Sequence, residues 1–399
     1  MNCPLVLIVM ALLPVGQVKA AADQLGNTGP LTASSTPLRS RLRADTEPRS
    51  SASGRTSLNA RNTSRAIVVR GGGYFPVLIR LHSGELMAVL RGGAPHIGVK
   101  GRLDIVSSND EGKTWLAPRT VIDSPEDDRN PAFGQTKNGD IILSYAVLRG
   151  YDSAGVKFSG NKGADRQAVG VYVVRTSDGG KTWTKPELSE RIHSLQKDGG
   201  SVSPYGKIVQ LPSGTLLMSV YYQFSNARGH QDYLFRSRDG GQTWDEPTLV
   251  GEHSNETCLL ALPNGEVLAA LRSETGGHIS VAVSKDQGHT WSSPVQVTRD
   301  GEHPADLIRL KNGDILLTYG QRNKPFGVEA IVSHDSGKTW DDKTKVVLAN
   351  EAANGDCGYP SSVQLPNGKI VTVYYQVDNP ANVPASTKAK AIVWSFPKN

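Results

Sequence analysis

Residues 108–115 read Ser-Asn-Asp-Glu-Gly-Lys-Thr-Trp, "SNDEGKTW". The same polar turn returns as "TSDGGKTW" at 176, "SRDGGQTW" at 237, "SKDQGHTW" at 284 and "SHDSGKTW" at 333. Each copy offers an Asp carboxylate to the N–H groups of a tight turn, a Gly for a positive φ, and a Trp with a large apolar face. The aspartates are Asp110, Asp178, Asp239, Asp286 and Asp335. Five copies cannot all belong to one reaction site, so the turn is read as structural, with each Trp wedged between neighbouring sheets.

A second repeat accompanies the first. Apolar runs flank a small polar turn at Gly84, Gly139, Gly214, Gly265, Gly313 and Gly368, at intervals of 55, 75, 51, 48 and 55 residues. Ser-Gly or Asn-Gly between apolar strands marks a β-hairpin. Five of the six hairpins are followed by the Asp turn, which defines a unit of four antiparallel strands. Units of this length repeated around an axis predict an all-β fold, a six-bladed β-propeller. A Greek-key sandwich would not require this regularity. The last unit ends in "AKAIVWSF" without an Asp turn and lacks one strand; "SRAIVV" at 64–69 can supply it and close the ring, removing an exposed edge.

The chain has 399 residues, 38% hydrophobic, with 42 glycines, a composition suited to a turn-rich β protein. Residues 1–20, with the apolar core "PLVLIVMALLPVG", read as a signal peptide, so the chain is expected to be exported, secreted or periplasmic. Residues 21–62 are rich in Ser, Thr, Arg, Gly and Pro and read as a disordered linker, and 63–399 as the propeller. Up to residue 65, eight basic residues face three acidic ones, so this segment holds +5 of the net +6. The body is nearly neutral, which excludes a nucleic-acid-binding surface. No apolar run in the body is long enough to span a membrane. Once a signal peptide is removed only Cys258 and Cys357 remain, which gives neither a disulfide framework nor a zinc site. No metal or organic cofactor is indicated, and a monomer is expected.

Strand polarity places the hairpins and the Asp turns at one end of the ring. The segments leading into each first strand and out of each second strand converge at the other end, where propeller sites are expected. That rim carries Arg91, His96, Arg129, Tyr205, Glu256, Arg272, His303, Asp306, Arg322 and Tyr359. A merely structural propeller has no need for several arginines, a glutamate and tyrosines at one mouth, so the rim is read as a functional site.

With its five Asp turns the sequence resembles the sialidase (neuraminidase) superfamily of Asp-box, or BNR-repeat, propellers over roughly residues 66–399. The resemblance implies a retaining exo-glycosidase acting on a terminal acidic sugar of a glycan. It implies arginines that clamp the substrate carboxylate, a tyrosine nucleophile paired with a glutamate, and a carboxylic acid/base. "NETCLLALPNGEVLAALR" is similar to the glutamate segment and offers Glu256 and Arg272; "GQRNKPFG" offers Arg322; "GYPSSVQLPNGKIVTVYY" offers Tyr359 as nucleophile. Arg91, Arg129, Tyr205 and Asp306 are candidate substrate-binding residues. Two positions depart from the family pattern. Phe75 of "YFPV" stands where an arginine would, with Arg70, Arg91 and Arg129 as possible replacements. No aspartate follows the first hairpin in the acid/base position; His96 is the candidate there, and Asp104 is assigned to the third strand. A non-catalytic carbohydrate-binding propeller, a glycosidase for another sugar and a protein-interaction scaffold stay open as alternatives.

Overall fold

The computed structural model describes residues 55–160, 166–196, 200–224, 229–341 and 343–397. The expected signal peptide and all but the end of the expected linker lie outside them.

β1 (Thr56–Asn59) and β2 (Arg61–Arg70) lead into a meander of β3 (Tyr74–Arg80), β4 (Leu86–Gly92), β5 (Arg102–Ser108) and β6 (Arg119–Ile122). β7 (Asp127–Gln135), β8 (Ile141–Arg149), β9 (Gln167–Thr176) and β10 (Glu187–Leu188) follow, then the one-turn helix α1 (Glu190–His193). Next come β11 (Ser201–Gln210), β12 (Leu216–Gln223), β13 (His230–Ser237) and β14 (Asp245–Glu252). β15 (Ser254–Ala261), β16 (Val267–Ser273), β17 (Ile279–Ser284) and β18 (Val295–Gln296) form one sheet by themselves. β19 (Glu302–Arg309), β20 (Ile315–Gln321), β21 (Gly327–Ser333) and β22 (Thr344–Ala349) precede the closing β23 (Cys357–Gln364), β24 (Ile370–Val377) and β25 (Thr387–Ser395).

The fold is all-β and propeller-like. Sequence neighbours pair antiparallel within each meander, and five-residue turns join the first strand to the second. β7–β10 and β11–β14 share one eight-stranded sheet, because β7 and β11 make a short parallel contact at Ala132–Phe133 and Gly206–Lys207. The first strands stand in a ring: β3 touches β7, then β11, β15, β19 and β23 follow in turn, and β23 touches β3. β2 pairs antiparallel with β25 and gives the C-terminal sheet its fourth strand, so the edge of β25 is covered by the N-terminal segment.

Residues 56–62, assigned above to the linker, are strand for the most part. β1 runs parallel to β22 as a fifth strand of that sheet. Its side chains are mostly exposed, so hydrophobic patterning gives no sign of it; backbone pairing on an open edge and a buried ion pair, Arg55 Nη1 to Glu302 Oε2 at 2.8 Å, hold it.

The Asp turns are built alike. In the first, Asp110 Oδ1 accepts from Thr114 N at 2.9 Å and Oδ2 from Thr114 Oγ1 at 2.6 Å, while Ser108 Oγ accepts from Gly112 N at 2.9 Å. Asp178, Asp239, Asp286 and Asp335 repeat the two carboxylate bonds to the Thr four residues on. The Gly is required by close approach as well as by φ. A Cβ at Gly112 would come within 2.9 Å of Val371, and one at Gly337 within 2.2 Å of Leu268, each in the sheet that precedes around the ring. Trp115, Trp183, Trp291 and Trp340 pack partly buried against the apolar clusters, and Trp244 is buried outright.

Candidate functional site

One backbone device recurs at the rim. The ladder between first and second strand breaks between Tyr74 and Val77, Arg129 and Ala132, Tyr205 and Val209, Asn255 and Cys258, Glu302 and Ala305, and Gly358 and Ser361. At five of these bulges the extra residue has a left-handed φ: Phe75 (53°), Asn130 (50°), Gly206 (72°), Glu256 (49°) and Tyr359 (49°). For a non-glycine this costs on the order of 1–3 kcal/mol. A bulge re-aims a side chain out of the alternating pleat. Here the bulges bring Phe75, Glu256 and Tyr359 to one mouth.

Tyr359 is buried, and its phenol donates to Glu256 Oε1 at 2.6 Å. The other carboxylate oxygen, Oε2, is ion-paired with Arg272 Nη1, which also lies 3.4 Å from the phenol oxygen. The Arg322 guanidinium stands 5.4 Å from the centroid of the Tyr359 ring. Its Nε and Nη2 are buried and have no partner among the described residues. Burial pushes the Tyr359 phenol well up, and the Glu256 charge pushes it further against Arg272 and Arg322. Burial also raises the Glu256 carboxyl, but Arg272, the Tyr359 bond and Arg322 outweigh it, and the group ends below its usual range. The resting pair is therefore a neutral phenol on a carboxylate.

His96 follows β4, across Phe75 from Tyr359. The Phe75 ring centroid lies 4.9 Å from each of the two rings. His96 Nδ1 is 2.7 Å from Asp356 Oδ1, which also accepts from the Tyr375 phenol at 2.6 Å. Burial lowers the imidazole pKa, Asp356 raises it, and Arg129 and Arg322 lower it again; the net direction is down. Arg129 lies with its guanidinium 5.4 Å from the Phe75 centroid. Of the three arginines named above as replacements at Phe75, Arg129 is the one on its ring. Its Nη1 donates to Asp127 Oδ2 at 3.2 Å and its Nε to Asn130 Oδ1 at 3.2 Å.

Tyr205 lies beneath, 6.2 Å from the Tyr359 ring and buried. Arg91 is fully buried. Its Nε donates to Asp127 Oδ1 at 2.9 Å and its Nη2 to the Gly98 carbonyl at 2.8 Å, so it braces the loop that carries His96 and presents nothing to the mouth. Asp306 is buried as well. Its Oδ2 pairs with Lys207 Nζ at 2.7 Å and accepts from Ser362 N at 2.7 Å, joining three first strands. Both were expected to touch substrate; buried charge needs a partner, and each has found one inside the protein. His303 is buried, and burial, with the charges of Arg272 and Arg322, pushes its pKa down to about 2. Asp104 lies in β5, bonded to Arg102 and Thr120.

Asp127, Asp356, Tyr375 and Tyr221 were not legible as site residues. Tyr221 accepts from Asn130 Nδ2 at 2.6 Å. "DDRNP" and "DCGYP" did place acids just before the bulges, which is the one available signal. Among the described residues, no group of His, Cys, Asp and Glu is arranged to hold a metal, and no helix is long and apolar enough to cross a membrane.

Residues 126–372 match the BNR repeat-like domain. The chain is 25% identical to a protein named sialidase from Bacteroides fragilis over 265 residues, 60% of this chain and 48% of that one. It is 28% identical to an exo-alpha-sialidase from Arthroderma benhamiae, covering 52% of each. It thus spans about half the length of these curated relatives. Among solved structures, a protein of unknown function from Dyadobacter fermentans superposes with a TM-score of 0.69 at 24% identity, over 84% of this chain and 100% of that one. A Trypanosoma rangeli sialidase superposes with a TM-score of 0.62 at 14% identity, over 84% and 60%. These likenesses concern the fold. The repeat turns, the ring of strands and the matched domain agree: the chain belongs to the BNR repeat-like family, within the sialidase/BNR-repeat β-propeller superfamily.

Proposed function

We propose that the protein is an exported, retaining exo-glycosidase of the sialidase type, acting on a terminal acidic sugar of a glycan. The observation that carries the reading is the Tyr359–Glu256 hydrogen bond of 2.6 Å, flanked by Arg272 and by an Arg322 whose buried donors lack partners. The scaffold is read as six blades, the eight-stranded sheet counting as two joined at β7 and β11.

An anomeric carbon that bears a carboxylate repels an anionic nucleophile, whereas a neutral phenol approaches it freely. Arg322 and Arg272, with Arg129 at the Phe75 wall, supply permanent positive charge and planar donors for that carboxylate. As the Tyr359 oxygen bonds to the anomeric carbon, its proton passes to Glu256 and the leaving oxygen takes a proton from His96. Water then attacks the glycosyl-tyrosine, gives a proton to His96, and Tyr359 recovers its own from Glu256. The relatives named sialidase support the substrate class.

A second reading, a binding propeller without turnover or a glycosidase for another sugar, draws on Phe75 in an arginine position and on the absent acid/base aspartate. Incubation with an aryl sialoside and a panel of other aryl glycosides separates the readings. Release from the sialoside is expected; release from another sugar only moves the substrate; binding without any release leaves a lectin-like module.

A further inference from the structure

The proton donor poses a problem that the geometry itself answers. His96 Nδ1 faces Asp356 Oδ1, so the ring proton of a neutral imidazole belongs on Nδ1 and Nε2 is bare. In that state His96 is a base, not an acid. The groups around it are Asp356 from the segment before β23, Tyr375 from β24, Tyr74 and Phe75 from β3, Arg129 from β7 and Arg322 from beyond β20. Two of these are cations, and both disfavour a second proton on the ring. The same Arg322 has two buried nitrogens awaiting an acceptor. Burial is the larger cause of that preference, and an anion bound at Arg322 cancels the share that the two cations add to it.

We infer that His96 receives its catalytic proton with the substrate: the sugar carboxylate, on docking against Arg322 and Arg129, draws a proton onto His96 Nε2, and Asp356 is the positioning residue that holds Nδ1–H and steadies the imidazolium. The inference rests on the proposed hydrolase reading and replaces the absent aspartate with a His–Asp pair. The sequence balances. Nε2–H goes to the glycosidic oxygen as the C–O bond breaks, and the attacking water returns a proton to Nε2 in the second step. The imidazolium is then retained until the free acidic sugar leaves. A neutral sugar of the same shape brings no anion, leaves His96 unprotonated, and is a poor substrate even where it fits.

The test is imidazole ¹H–¹⁵N NMR of the full chain at pH 7, with His96→Gln used to assign the signal and 2,3-didehydro-2-deoxy-sialic acid as the probe. Free protein is expected to show His96 neutral with the proton on Nδ1, and the complex to show both nitrogens protonated. Calorimetry in buffers of different ionisation enthalpy should then register uptake of about one proton per bound probe, lost in His96→Gln. Asp356→Asn should lower kcat about 10²-fold, leave KM little changed, and shift the pH profile of kcat to lower pH. A His96 that stays neutral with the probe present, or a free protein with Nδ1 bare, overturns the inference. Proton uptake without turnover of any glycoside would sink the hydrolase reading instead and leave the coupling as a property of a binding site.

Discussion

The Tyr359 phenol donates to Glu256 Oε1 at 2.6 Å across 103 residues of sequence, and both residues sit at left-handed bulges of neighbouring-but-one first strands. Two strained backbone positions meeting in one buried hydrogen bond is an arrangement the fold alone does not require.

Tyr359→Phe removes the nucleophile and keeps the ring stack with Phe75 and Tyr375. Turnover should fall by at least about 10³-fold while affinity for a carboxylate sugar changes less than about threefold. Rate assays on an aryl sialoside beside calorimetry of a non-hydrolysed analogue read both quantities. Retained turnover removes Tyr359 from the mechanism.

Arg322→Met deletes a buried cation whose Nε and Nη2 have no partner, so it should not lower the thermal midpoint. It should lower kcat/KM on an acidic sugar about 10²-fold, equivalent to about 3 kcal/mol. Arg91→Met is the contrasting case. It strips Asp127 of its main partner at a fully buried site and should destabilise by about 3–5 kcal/mol. Melting curves of the two variants should move apart; a destabilised Arg322→Met would mean that the guanidinium is structural.

How much of this could be read from the chain follows from what each residue depends on. The Asp turns and Asn-Gly or Ser-Gly hairpins are local chemistry, so the strand units and the end of the ring that gathers polar groups were legible. Glu256, Arg272, Arg322 and Tyr359 could be set at that end by strand polarity, and the structure brings them together there. Partner choice is not local. Arg91 and Arg129 look alike in sequence, yet only Arg129 lies on Phe75, because Asp127 holds the two in different directions. Asp306 reads as a rim carboxylate, yet its partner is Lys207, 99 positions earlier in the chain. β1 carries no apolar alternation, since an edge strand held by backbone bonds needs none.

Lys207, half-buried, pairs with the buried Asp306, and Asp306 Oδ1 also lies 3.5 Å from the Cys258 thiol, two residues past Glu256. Removing one charge strands the other. Asp306→Leu alone should destabilise by about 3–5 kcal/mol, whereas Lys207→Met with Asp306→Leu should recover most of that loss. A double-mutant cycle by denaturant titration measures the coupling. If Asp306→Leu instead raises KM with stability intact, the residue faces substrate after all.

The Asp turns are expected to contribute to the acid sensitivity of the fold. Hydrogen bonds from Thr114 hold the Asp110 carboxyl at about 2, and Asp335 reaches about 2 as the bonds from Thr339 and Ser333 outweigh burial. Thr176 and Thr182 hold Asp178 lower still. A folded pKa below the unfolded value means that the folded state binds fewer protons, so this stabilisation is complete above the ordinary carboxylate range near 3.8 and is lost as pH falls toward about 2. Asp110→Asn with Asp335→Asn cannot accept all the bonds of the two turns, so the variant should be weaker at pH 7. It should also lose less between about pH 4 and 2 than the wild type does. Tryptophan fluorescence reports the turn directly, since Trp115 Nε1 donates to the Gly112 carbonyl at 3.2 Å. A double variant whose stability falls as steeply as the wild type's across that window would place the acid sensitivity elsewhere.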